Sequence, residues 1–174
     1  MNITSKPVKA AHNKVQIRNL YLTAFPKEER LPWWLLRCWP GPGQLTAYYA
    51  DETFCGFTFD ATVGDILYVM FFAVADELRG KGCGSAVLQY LKQTGKTILL
   101  NVELLDETAP NYDERVRRVA FYAKNGFADT GYNIREVGGV FRILSSTGEM
   151  DAAAYQRVFA KLSCGLWKPE IWKG

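Results

Sequence analysis

The residues best suited to chemistry in this chain lie in the segment Val74-Ala75-Asp76-Glu77-Leu78-Arg79-Gly80-Lys81-Gly82-Cys83-Gly84-Ser85. An apolar run, Ile66 to Val74, stops at a short acidic turn; an arginine, three alternating glycines and a helix-like segment follow. Glycines let a backbone approach a ligand closely, and the first amides of a helix point outward with no partner of their own. Such a corner takes up anions, phosphate above all, and Arg79 and Lys81 add positive charge. The strand feeding this turn is therefore a candidate site for a molecule carrying a pyrophosphate. The bland alternative is a tight strand–helix turn, which rarely needs three glycines and two cations.

Two nucleotide motifs compete for the corner. A Walker-type loop requires Gly-Lys-Ser/Thr, and here Gly82 is followed by Cys83. A dinucleotide fingerprint needs Gly-x-Gly-x-x-Gly directly after its strand, but five residues separate Val74 from Gly80. Glu103 does fall about where a ribose-binding acid would, yet the chain offers too few strand–helix repeats for a doubly wound sheet.

A third reading is a resemblance. Phe71-Phe72-Ala73-Val74 followed by Arg79-Gly80-Lys81-Gly82-Cys83-Gly84 resembles the acetyl-CoA signature of the GNAT N-acetyltransferases. Downstream, Ala120-Phe121-Tyr122-Ala123-Lys124-Asn125-Gly126-Phe127 is similar to that family's helix-end Phe-Tyr-x-x-x-Gly-Phe. The interval between the two accommodates a helix, a strand and a second helix. The similarity runs from about Gln44 to Ile143, within what reads as a single domain over residues 1–174.

The resemblance implies a mixed α/β fold: a central, mostly antiparallel sheet flanked by helices, with strands splayed at an acyl-CoA cleft. It implies acetyl-CoA as co-substrate, no metal, and direct attack by a primary amine. The backbone of Phe72, Ala73 and Val74 would pair with the pantetheine arm, as an added strand pairs with a sheet edge. The amides from Arg79 through Gly80, Lys81, Gly82, Cys83 and Gly84 to Ser85 would take the pyrophosphate. Tyr122 would protonate the departing CoA thiolate, a role suited to a phenol that stays protonated at neutral pH. Packing in a core explains Tyr122 as well. Glu103, at a strand end beside the cleft, would accept the amine's proton directly or through water; it also reads as an ordinary carboxylate. Where many members carry Asn and a small residue, this chain has Arg115 and Arg118, which puts one pantetheine contact in doubt. Family members often form homodimers. An acyl-CoA-binding module without turnover would keep the same turn and strand, but the presence of Tyr122 favours an enzyme.

Bulk properties agree with a globular domain of 174 residues, 48% hydrophobic and 22% charged. A net charge of +3 is too small to argue for nucleic acid, and no apolar run approaches a membrane span. The start, Met1-Asn2-Ile3-Thr4-Ser5-Lys6, lacks the apolar core of a signal peptide, which points to the cytoplasm. Cys38, Cys55, Cys83 and Cys164 are widely spaced and read as free thiols in a reducing compartment. The only histidine, His12, nearly excludes a histidine triad or a multi-histidine metal site.

These groups must be positioned by the surrounding elements. The periodicity predicts a helix carrying Ile17, Leu20, Tyr21, Ala24 and Phe25, then a second from about Glu28 to Trp39. Strands are expected over Gln44–Ala50, Phe54–Ala61 and Ile66–Val74, a helix over Gly84–Thr94, and a strand over Thr97–Glu103. Asn111, answered by Glu114, is expected to cap the next helix, which Asn125-Gly126 closes. A strand pair over Phe127–Tyr132 and Gly139–Leu144 follows. Ser146-Thr147-Gly148-Glu149 reads as a capping box for a last helix ending near Leu162. Glu28, Glu29, Asp106 and Glu107 are acids near the expected acceptor mouth, either attracting a cationic amine or simply solvated. Trp33, Trp34, Trp39, Trp167 and Trp172 would form an aromatic wall for an acceptor or pack the terminal helices.

Overall fold

The nearly unbroken apolar run Ile66–Val74 forms a strand, β4, in the interior of a sheet, where both faces are covered. The computed structural model describes residues 1–136 and 138–174. Ahead of β4 lie β1 (Ile3–Pro7), α1 (Lys14–Ala24), α2 (Trp33–Arg37), β2 (Gly43–Ala50) and β3 (Thr53–Val63). After it come α3 (Cys83–Lys92), β5 (Thr97–Glu103), α4 (Tyr112–Lys124) and β6 (Ala128–Glu136). The chain continues through β7 (Gly139–Ser145), α5 (Ala152–Leu162) and β8 (Ile171–Lys173). The strands make one sheet in the order β1-β2-β3-β4-β5-β7-β6-β8. Among the described residues only β4 and β5 pair in parallel, and α3 is the crossover that a parallel pair requires. This is the mixed α/β, mostly antiparallel architecture expected from the sequence. No helix is long and apolar enough to cross a membrane among the described residues.

Helices cover both faces. On one, Leu67, Val69, Ile98, Leu100 and Val102 pack against Cys83, Val87, Leu88 and Leu91 of α3 and Tyr122 of α4. On the other, Ile17, Leu20 and Tyr21 of α1 meet Phe57, Phe59 and Phe71. Beside them Tyr155, Val158 and Phe159 of α5 cover Tyr68, Leu99 and Ile134.

Three local expectations fail for identifiable reasons. The helix expected over Glu28–Trp39 is broken: Lys27–Glu29 form a 3₁₀ turn and α2 begins only at Trp33. Pro32, at φ −54° and ψ 129°, enforces the break because its ring disfavours helical continuation from the residue before it. Asn111 precedes α4 but makes no side-chain cap; its amide is drawn to Glu103 and its oxygen to Arg115. The last helix is capped by Asp151, which accepts from the amides of Ala153 and Ala154, so Ser146–Glu149 is a turn outside it. β1 and β8 were not foreseen, since short edge strands show little alternation.

One partly buried carboxyl gives the fold a pH dependence. Asp60 of β3 accepts a hydrogen bond from Thr58, which in turn accepts one from Tyr48 (3.1 Å). Burial pushes the Asp60 carboxyl up to about 6 against the Thr58 hydrogen bond that favours its charge. A raised carboxyl means the folded chain holds its proton more tightly than the unfolded chain. Its contribution to stability therefore falls as pH rises through the interval between the two pKa values. Asp60→Asn should lose less unfolding free energy than wild type between about pH 4 and about pH 6. Urea unfolding at both pH values measures this, and identical losses in the two proteins would remove Asp60 from the account.

Candidate functional site

β4 and β5 pair only over Ile66–Val69 and Thr97–Leu100. Beyond that point both strands continue, to Val74 and Glu103, without pairing with one another. The separation begins at a bulge: Phe71 and Val69 face consecutive residues of β3, Phe59 and Asp60, leaving Met70 as the extra residue. A cleft of about 1320 Å³ opens there, lined by Met70–Val74 on one side and Leu100, Asn101 and Glu103 on the other.

One end of the cleft is the glycine corner. Gly80 and Gly82 have φ of +74° and +85°, a left-handed conformation that L side chains rarely adopt. A Cβ on either would meet nothing within 4 Å, so backbone conformation rather than crowding calls for glycine. Gly82 precedes α3 without a side-chain cap, so the amides of Cys83, Gly84 and Ser85 keep no intrahelical partner. Gly84 is different: a Cβ there would lie 3.1 Å from Phe121 and 3.2 Å from Val74. Its missing side chain lets α3 pack against both β4 and α4.

The turn uses some groups that were expected to face a pyrophosphate. The amides of Arg79 and Lys81 donate to the carbonyls of Asp76 (3.2 Å) and Leu78 (3.3 Å). The Arg79 guanidinium binds the Val74 carbonyl (3.3 Å) and the Asp76 carboxylate (2.8 Å). The Cys83 side chain is buried in the core, leaving only its amide toward the corner. Lys81 is exposed outside the lining, whereas Arg79, Gly80, Gly82, Gly84 and Ser85 belong to it. The amides left without a partner are fewer than the motif suggests, those of Cys83, Gly84 and Ser85.

Tyr122 reaches the cleft from the last turn of α4, packed edge-on against Phe121 and Phe127 (ring centroids 5.2 and 5.8 Å). It is 8% exposed, and no hydrogen bond holds its hydroxyl among the described residues. Burial pushes its pKa up to about 12, with Arg118 acting in the opposite direction. The phenol thus keeps its proton at neutral pH and lies available to a ligand in the cleft.

At the other end lie carboxylates in two distinct settings. Glu103 is enclosed by donors: Asn111 Nδ2 at 3.0 Å, Arg115 Nε at 3.3 Å, and Arg118. Arg115 also binds the Asn111 oxygen and the Leu104 carbonyl (both 2.8 Å), so the two arginines join α4 to the end of β5. Glu136, ending β6, accepts instead from neutral partners, Tyr68 Oη (3.0 Å) and Asn101 Nδ2. Glu29 comes beside it from the 3₁₀ turn after α1; a Cβ on Gly138 would sit 2.8 Å from Glu29 Cγ. Burial, with Glu103 next, raises the Glu29 pKa. The cleft continues between α2 and α5 along Phe25, Leu35, Trp39, Phe159 and Trp167.

The structure therefore brings Phe72, Ala73, Val74, Gly82, Gly84, Ser85, Tyr122 and Glu103 onto one cleft, with Lys81 and the Cys83 side chain outside it. Sequence reasoning missed Glu136, Asn101, Tyr68 and Asn111. Glu136 carried one usable signal: it continues the inward alternation of Tyr132 and Ile134, where an apolar residue would be the ordinary choice.

Comparison with known proteins agrees with this geometry. The family model described as Acetyltransferase (GNAT) domain matches residues 42–129, half of the chain. A Bacteroides thetaiotaomicron protein assigned to the GNAT family superposes with TM-score 0.73 at 22% identity, over 96% of this chain and 100% of that one. A GNAT acetyltransferase of Elizabethkingia anophelis with acetyl-CoA bound gives 0.56 at 17% identity, over 83% and 97%. An aminoglycoside 6′-N-acetyltransferase complexed with coenzyme A gives 0.60 at 18%, over 83% and 96%. A search of curated proteins finds no significant match. With the splayed β4–β5 pair, the glycine corner and the matched domain in agreement, the chain belongs to the GNAT acetyltransferase family.

Proposed function

We propose that this protein transfers the acetyl group of acetyl-CoA to a primary amine by direct attack, within a single cytoplasmic domain. The observation that carries the reading is the unpaired edge of β4 running from the Met70 bulge to an uncapped helix N-terminus. An extended, amide-bearing arm can hydrogen-bond to that edge as a further strand would. The amides of Cys83, Gly84 and Ser85 then receive the pyrophosphate. Four free cysteines suit a reducing compartment.

Catalysis asks for a held thioester, an uncharged amine and a proton for the leaving thiolate. Backbone donors at the Met70 bulge polarise the thioester carbonyl. The amine nitrogen attacks the carbonyl carbon, the C–S bond breaks, and Tyr122 gives its phenolic proton to the sulfur. The apolar setting that raises Tyr122 also destabilises a bare thiolate, which keeps the transfer balanced, and Arg118 favours the transient phenolate. Glu103 was expected as the base. Asn111, Arg115 and Arg118 already engage both of its oxygens, and in this reading its role is to hold α4 against β5.

Two variants test the reading. Gly82→Ala puts a side chain into a left-handed position and into the anion corner. Titration calorimetry should find acetyl-CoA bound about tenfold more weakly, roughly 1.4 kcal/mol; unaltered affinity would make the corner a plain turn. Tyr122→Phe retains the ring contacts with Phe121 and Phe127 but has no proton to give. Free-thiol release from acetyl-CoA with pooled primary amines should show kcat reduced about 100-fold at similar acetyl-CoA affinity. Undiminished turnover would return Tyr122 to a packing role, and wild-type binding without turnover would mark an acyl-CoA-binding module.

A further inference from the structure

Glu136 sits in a polar chain assembled by four elements on the floor of the cleft. Tyr155 Oη of α5 donates to Asn101 Oδ1 of β5 (3.0 Å), which fixes the Asn101 amide with its NH₂ toward Glu136. Tyr68 Oη of β4 donates to Glu136 Oε1 at 3.0 Å and reaches Oε2 only at 3.3 Å. Asn101 also uses Oε1, so Oε2 is the less engaged oxygen. The groups facing Glu136 are Tyr68, Asn101, Tyr155 and, across the β6–β7 turn, Glu29, and none of them is a cation. Both Glu136 and Glu29 line the same cleft as Tyr122. The walls around this end are Phe25, Trp39, Met70, Phe141, Phe159 and Trp167.

We propose that Glu136 is the carboxylate that takes the proton of the acceptor's ammonium, and that the acceptor is a primary amine carried on an apolar body. The proposal rests on the acetyl-transfer reading and adds the base and the acceptor class to it. Two carboxylates, Glu136 and Glu29, attract the ammonium, and the aromatic and aliphatic walls take up the rest of the molecule. Oε2 of Glu136 removes one ammonium proton and gives the free amine. After attack, the nitrogen's surplus proton restores Tyr122 through solvent, the C–S bond having gone to thiol, and Glu136 returns its own proton to water. The net release is one proton per acetyl transferred. Burial pushes the Glu136 carboxyl up to about 7, with Tyr68 and Asn101 opposing and Glu29 adding to the rise, which makes it a stronger base than an ordinary carboxylate.

The test uses the full-length protein with 2-phenylethylamine as the apolar amine and ethanolamine as the polar comparator. The expected result is kcat/KM at least about tenfold higher for 2-phenylethylamine, falling on the acid side of about pH 7 as Glu136 is protonated. Glu136→Gln should lower kcat/KM about 100-fold and abolish that limb with acetyl-CoA affinity intact, while Glu103→Gln keeps the limb whatever its rate. A limb that persists in Glu136→Gln overturns the base. Preference for ethanolamine, or acetyl-CoA binding without turnover of 2-phenylethylamine, overturns the acceptor class. In that second case the base is judged from ¹³C-labelled glutamate. A carboxyl signal titrating near pH 7 in wild type and missing from Glu136→Gln upholds it, and its absence from wild type overturns it. Failure of wild type to bind acetyl-CoA would instead reject the acetyl-transfer reading itself.

Discussion

The parting of β4 from β5 after Val69 and Leu100 is the constraint on which the rest of the structure depends. Two parallel strands inside a sheet ordinarily satisfy each other's backbone groups, and buried groups left unpaired are costly. Here the ladder stops midway through both strands, so each side needs separate support. Phe72 and Val74 of β4 lean on α3 and α4, where Phe121 packs on Phe72 and on the space left by Gly84. On the β5 side, Asn101 is tied through Tyr68, Glu136 and Tyr155, and Glu103 through Asn111, Arg115 and Arg118. The groups that line the gap are the same ones that keep it open.

That arrangement gives the cleft two ends of opposite electrical character. Unpartnered helix amides at Gly82–Ser85 favour anions, while Glu29 and Glu136 favour a cation, with Tyr122 between them in an apolar setting. The two arginines on α4 would upset this polarity if they were free. Both bind the one carboxylate of Glu103, which holds them at the end of β5 and leaves Glu136 held by neutral donors. Arg115 and Arg118 thus have a structural role in this chain, joining α4 to the end of β5.

The fold class and the glycine corner were legible because they rest on local chemistry. Ile66–Val74 is too apolar for an edge strand, and Gly80 and Gly82 stand where the backbone turns left-handed. The strand–turn–helix order and the Phe121-Tyr122…Gly126-Phe127 element then placed β4, α3 and α4 on one cleft. The break at Pro32 was legible too and was overlooked: a proline within a helical pattern outweighs the apolar spacing around it. Asn111 could not be read correctly from its position before α4, because Arg115 takes the oxygen a cap would use while Glu103, eight residues earlier, holds the Nδ2. A cap is a local inference, and charged partners on the preceding strand and one helical turn onward override it.

Glu136 marks the boundary of sequence reading more sharply. Its neighbours in the chain say only that β6 approaches a turn, while its chemistry comes from Tyr68, Asn101 and Tyr155, separated from it by 68, 35 and 19 positions. Sheet order makes them neighbours: β6 lies next to β7, β7 next to β5, and β5 next to β4 only up to Leu100. Where that pairing ends, a hydrogen-bonded carboxylate occupies the floor of the gap. The same interruption that leaves an edge of β4 unpaired on one side therefore makes room for a carboxylate on the other. Position along the sheet, rather than any motif, decides which glutamate meets neutral donors and which meets arginines.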